Sequence, residues 1–141
     1  ILARAMGGRQ AEMMIYGESG VSTGASSDLR SATNIARTMV NDYGMGVELR
    51  DQVFHEEEGG MFFDRMTRER PFSEKTAEKI DAEVAALIKE AVKRAEIILK
   101  ANKKPLEALT NALLEKETID EEEVKEILKN AKLPKEAKLH D

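Results

Sequence analysis

Apolar positions recur at helical spacing along most of the 141-residue chain. Residues 1–17 are apolar almost all round, the pattern of a buried helix. Gly7 and Gly8 sit in its middle, where each costs about 1 kcal/mol against Ala. They predict close approach of another backbone, and Gly17 is placed to cap the helix end. A small-residue loop over 18–25 then leads into a second helix over 26–43, closed by Gly44. At 100° per residue, Leu29, Ala32, Ile35, Ala36, Met39, Val40 and Tyr43 share one broad face of that helix. Arg30, Asn34, Arg37 and Asn41 lie opposite.

Residues 45–72 break the period. Gln52-Val53-Phe54-His55 and Met61-Phe62-Phe63 flank a Glu-Glu-Glu-Gly-Gly turn, and they fit a short β-hairpin over 52–63. Pro71 marks a boundary. After it, Ala77, Ile80, Val84, Leu87, Ile88, Ala91, Ala95, Ile98 and Leu99 form one long stripe, with Ser73 as N-cap. Pro105 opens a further helix carrying Leu106, Leu109, Leu113 and Leu114. Thr118 with Glu121, or Asp120 with Glu123, caps a last helix bearing Val124, Ile127 and Leu128. The Lys-rich residues 131–141 predict a disordered tail after one mainly α domain over 1–130.

Two carboxylates interrupt the apolar faces. Asp28 falls in the first turn of the helix over 26–43, which Ser26 or Ser27 would cap, yet it lies within the apolar face. A carboxylate aimed at a core is costly unless something pairs with it: a cation, a donor cluster or a metal. The plainer alternative is a partner for the helix macrodipole, worth roughly 0.3–1 kcal/mol. Glu12 shares a face with Ile1, Ala5, Gly8 and Ile15, and Arg9 is its candidate ion partner.

Composition narrows the classes. Charged residues make up 35% of the chain and aromatics 4%, and the net charge of −5 argues against nucleic acid as the main partner. Without cysteine there is no disulfide, thiolate metal site or Cys nucleophile. No apolar run reaches membrane-spanning length. His55 and His140 are isolated, and solvated positions account for both. The helical pattern is already running at Ile1, as expected of a piece cut from a larger protein.

Four runs carry a resemblance. Gly7-Gly8-Arg9-Gln10-Ala11-Glu12, Ile15-Tyr16-Gly17-Glu18, Val21-Ser22-Thr23-Gly24-Ala25-Ser26-Ser27-Asp28-Leu29 and Ala32 to Val40 together resemble the FtsH family. The likeness continues through Tyr43-Gly44-Met45, Phe72 to Val84 and Leu113 to Asp120, as far as about residue 130. It implies a largely helical peptidase domain of a membrane-anchored, ATP-dependent zinc metalloprotease. By match, Asp28 is the Asp zinc ligand of the Gly-Ala-Ser-x-Asp run. Glu12, of the Gly-Gly-Arg-x-Ala-Glu run, would stand beside the site, where such groups orient the metal-binding His rings. The HExxH motif that supplies two His ligands and the general base is absent from this sequence, and is expected upstream of Ile1. No catalytic or nucleotide-binding residue is therefore assigned here, and the isolated chain is expected to be inactive. The resemblance further implies ATP and Mg2+ in an ATPase module, a homo-hexamer, unfolded or damaged protein substrates, and the cytoplasmic face of the bacterial inner membrane. The departures are Met13, where the family often has an acidic residue, and Arg50-Asp51 and Met61 to Asp64 in the variable middle. A helical assembly module that contributes ring contacts, with no chemistry of its own, is the alternative.

Overall fold

The structure, a computed structural model, describes residues 1–20, 22–54 and 72–138. Six α-helices are described: α1 (Leu2–Ala5), α2 (Gly7–Tyr16), α3 (Ser26–Asn41), α4 (Glu74–Ala101), α5 (Lys103–Lys116) and α6 (Glu121–Leu128). Among the described residues there is no strand, so the fold is mainly α. Gln52–Phe54 are irregular, and the rest of the hairpin expected over 52–63 lies outside the described residues. None of the described helices is long and apolar enough to cross a membrane.

The chain divides into two units. One comprises Leu2 and residues 26–90, the other Ile1 with residues 3–25 and 91–141. In the first, α3 buries the row Ala32, Ala36 and Val40, all 0% exposed, at the i, i+4 spacing of one helix face. Ala36 and Val40 join Leu49, Ile80 and Val84 in the core, and Leu2, Phe54, Phe72, Leu87 and Ile88 pack around it. Phe54 and Phe72 meet edge to face with centroids 6.0 Å apart.

Loop closure after α3 depends on Gly44. Its φ is +58°, and a Cβ there would stand 3.0 Å from the Asp51 nitrogen and the Gln52 oxygen. The loop then folds back, with the Asp51 N–H donating to the Gly44 carbonyl and the Phe54 N–H to that of Asn41. Helix α4 starts as its cap predicts: Ser73 Oγ accepts from the Thr76 N–H at 3.3 Å. Exposed ion pairs Arg37–Asp81 and Lys79–Glu48 add little, since such pairs are worth about 0–1 kcal/mol.

In the other unit, the single helix expected over 1–17 is broken at Met6, a turn residue whose side chain is 1% exposed. Gly17 caps α2 as expected: with φ +72°, its N–H donates to the Met13 carbonyl at 3.0 Å. Gly7 and Gly8 admit no close neighbour, since a Cβ at either would meet nothing within 4 Å. The close backbone approach expected there is not made. Of the two capping boxes open to α6, the chain uses Asp120, whose side chain accepts from the Glu123 N–H at 2.8 Å. The reciprocal half is missing because Glu123 pairs with Lys116 of α5 instead. Asn102, between α4 and α5, donates to the Lys132 carbonyl and accepts from its N–H, pairing like a strand residue. Beyond it, Lys135–Ala137 forms a 3-10 turn with Ala137 buried.

Candidate functional site

The site grows from the turn that begins α3. A 3-10 turn over Thr23–Ala25 runs without interruption into α3 at Ser26. Ser26 and Ser27, the expected caps, are therefore already helical. The hydroxyl contact is made earlier, where Ser22 Oγ accepts from the Gly24 N–H at 3.2 Å. Gly24 is needed there, because a Cβ would lie 3.1 Å from that same oxygen.

Glu12 of α2 holds this turn. Its Oε1 accepts from the Ser22 hydroxyl at 2.7 Å and its Oε2 from the Ser22 N–H at 2.9 Å. One carboxylate thus takes both donors of one residue, ten positions along the chain. These two bonds favour the ionised form and hold the Glu12 carboxyl below its usual range. The Arg9 charge helps less, and partial burial opposes both. The ion pair expected with Arg9 is not formed; Ser22 is the partner.

Asp28 heads the row that α3 buries: Asp28, Ala32, Ala36 and Val40 follow at intervals of four. The helical wheel was right about its side of the helix. It was wrong about its environment, because Asp28 is exposed. The core gathers around the C-terminal half of α3, so the row runs out from under cover before it reaches Asp28. The desolvation cost that a buried carboxylate would incur does not arise. Asp28 also has no hydrogen bond or ion pair among the described residues.

A zinc ion fits this chain in part. Carboxylate oxygens are good zinc donors, and a catalytic site takes three protein ligands with one position left open. Among the described residues no group of three or more His, Cys, Asp or Glu side chains could hold a metal. Asp28 is therefore suited to be one donor, exposed and uncommitted, and the described residues do not assemble a whole site. His55 and His140 lie outside the described residues.

Two residues with structural roles at loops escaped the sequence pattern. Ser22 carries no periodic signal, since its importance arises from a contact across ten residues. Glu83 does carry one, as a charged residue three positions after Ile80 inside the apolar stripe of α4. It is 9% exposed, and its Oε1 accepts from the Val47 and Glu48 N–H groups at 2.8 and 2.6 Å. Gly46 leaves room for it; a Cβ there would come within 3.2 Å of the carboxyl.

A helical chain that presents one free carboxylate at a helix start, held by a conformationally demanding turn, has the features of one part of a metallopeptidase domain. Comparison with known proteins gives the family: the model of peptidase family M41 matches residues 1–127, and the chain belongs to that family. It is 45% identical over 130 residues to the ATP-dependent zinc metalloprotease FtsH of Mycoplasma mobile, covering 92% of this chain and 18% of that protein. Against FtsH 3 of Synechocystis sp. the identity is 43% over 130 residues, covering 92% of this chain and 21% of the relative. Against FtsH of Bacillus subtilis it is 41% over 131 residues, covering 92% and 20%. The chain thus spans about a fifth of the length of these relatives. The resemblance to the FtsH peptidase domain is borne out.

Proposed function

We propose that this chain is the part of an ATP-dependent zinc metalloendopeptidase that supplies the Asp ligand of the zinc, through Asp28. The observation that carries the proposal is the state of that carboxylate: it heads the buried row of α3, yet is exposed and has no partner among the described residues. A structural carboxylate at this position would be spent on a cap, a cation or a backbone donor. Asp28 is left free to donate an oxygen.

Zinc, when bound, lowers the pKa of its water towards neutrality and polarises the scissile carbonyl. Asp28 contributes one donor to the three that such a site requires. Its backbone is held by α3, so the carboxylate is presented from a rigid element. The remaining ligands and the general base would come from an HExxH segment of the same protein. The parent would be membrane-anchored at the cytoplasmic face of the bacterial inner membrane. It would unfold damaged proteins with ATP and Mg2+, and cleave them in a homo-hexameric ring.

The test is the full-length protein with Asp28→Asn, measured for bound zinc and for cleavage of casein. Loss of both with the fold retained is the expected result. Full zinc and full cleavage in Asp28→Asn would remove the ligand assignment. A role in assembly draws on a separate observation, the exposed apolar side chains of Tyr43, Met45, Val47 and Val53 in the loop after α3.

A further inference from the structure

We propose that Ser22 is a positioning residue for Asp28: pinned by the Glu12 carboxylate, it sets the turn from which α3 starts and so aims the Asp28 carboxylate. The proposal rests on the zinc-ligand role of Asp28 and adds the residue that presents it.

Three features of the structure point this way. Ser22 is held at both its donors, the hydroxyl at 2.7 Å and the N–H at 2.9 Å, by the two oxygens of one carboxylate. A single hydrogen bond would leave the residue free to swivel; two from adjacent atoms to a planar acceptor fix its orientation. The same hydroxyl then receives the Gly24 N–H, so the constraint passes on to the 3-10 turn. Gly24 is matched to it, because a Cβ 3.1 Å from Ser22 Oγ would push on an oxygen that Glu12 does not allow to move.

The constraint also has a route to Asp28. The backbone is helical without interruption from Thr23 through Asn41. Four residues separate Gly24 from Asp28, a rise of about 6–8 Å at 1.5–2.0 Å per residue. A tilt introduced at Ser22 therefore reaches Asp28 within about one helical turn. Asp28 has no side-chain partner among the described residues to correct the aim. Backbone placement alone decides where its carboxylate points, and a metal ligand must be held to fractions of an ångström. Ser22 is not itself a ligand, since both of its donors are occupied by Glu12.

The experiment uses the full-length protein as wild type, Ser22→Ala, Ser22→Thr and Asp28→Asn. Zinc affinity is measured by competition with a chromophoric chelator, alongside the thermal midpoint and amide exchange over residues 22–28. Ser22→Ala is expected to weaken zinc binding by about 10- to 100-fold, the range found when the residues that orient a metal's ligands are removed. It should also speed exchange at the Gly24 amide while leaving the thermal midpoint close to wild type. Ser22→Thr, which keeps the hydroxyl, should restore the affinity. Faster exchange in Ser22→Ala with unchanged zinc affinity would overturn the proposal and leave the ligand role of Asp28 intact. Unchanged zinc affinity in Asp28→Asn would overturn the ligand role itself. The two failures are thereby distinct.

Discussion

The row Asp28, Ala32, Ala36, Val40 on α3 makes a quantitative prediction, because its two ends lie in opposite environments. Val40 is 0% exposed and sits in the core with Ala36, Leu49, Ile80 and Val84. Val40→Ala removes two methyl-sized groups, a transfer loss of about 1.6 kcal/mol at 0.8 kcal/mol each. The hole left behind adds to this, and the total comes to about 2–3 kcal/mol. Against a typical stability of about 5–15 kcal/mol, that is a large fraction. Asp28→Asn, at the exposed head of the same row, loses only the macrodipole interaction of the first turn, about 0.3–1 kcal/mol. Urea unfolding of the 141-residue chain at neutral pH, followed by far-UV circular dichroism, measures both. The expected result is a clear midpoint shift for Val40→Ala and a small one for Asp28→Asn. If Asp28→Asn destabilised as much as Val40→Ala, Asp28 would be holding the fold together, and the idea of a carboxylate kept free for a metal would fail. A negligible effect of Val40→Ala would instead refute the packing of α3.

Glu83→Gln keeps the shape of the side chain but removes its charge. Hydrogen bonds to a charged acceptor contribute about 1.5–3 kcal/mol and neutral ones about 0.5–1.5, so the 46–48 loop should loosen by roughly 1–2 kcal/mol. Faster amide exchange at Val47 and Glu48 is the readout, and unchanged exchange there would deny Glu83 its role. The Glu12 clamp has a pH signature. Its bonds to Ser22 hold the folded carboxyl below its ordinary value of 4.5, so their contribution is fully present above that value and is lost as pH falls through the lowered folded value. Thermal midpoints of wild type and Glu12→Gln should therefore differ near neutrality and converge in acid; a constant gap across that range would contradict the clamp.

Helices, their faces and most of their ends could be read from local pattern. The i, i+4 row of α3, the long stripe of α4, Ser73 at its start, Gly17 and Gly44 at loop entries, and the cap at Asp120 all depend on residues within a turn or two of each other. The break at Met6 could not, because a buried turn residue in an apolar run leaves the period unchanged. Periodicity also overstated the burial of Asp28. It reports on which side of a helix a residue falls, whereas burial depends on how far the covering elements extend along that side.

The candidate site divides along the same line. The type of residue, its helix and its face followed from composition and spacing, and the Ser-Thr-Gly-Ala-Ser-x-Asp run alone was enough to identify the family resemblance. Glu12 and Asp28 both stood out as charges on apolar faces. Which partner each one takes is a property of the folded chain. Glu12 had a charged neighbour one turn away in Arg9, yet it closes on Ser22, because the chain turns at Gly17 and brings two donors of one residue within reach of both carboxylate oxygens. Asp28 was expected to need a partner, and it has none among the described residues, because the core ends half a helix away. Short-range geometry sets direction along a helix, while contacts between residues far apart in sequence set environment. Chemistry at Asp28 depends on the second.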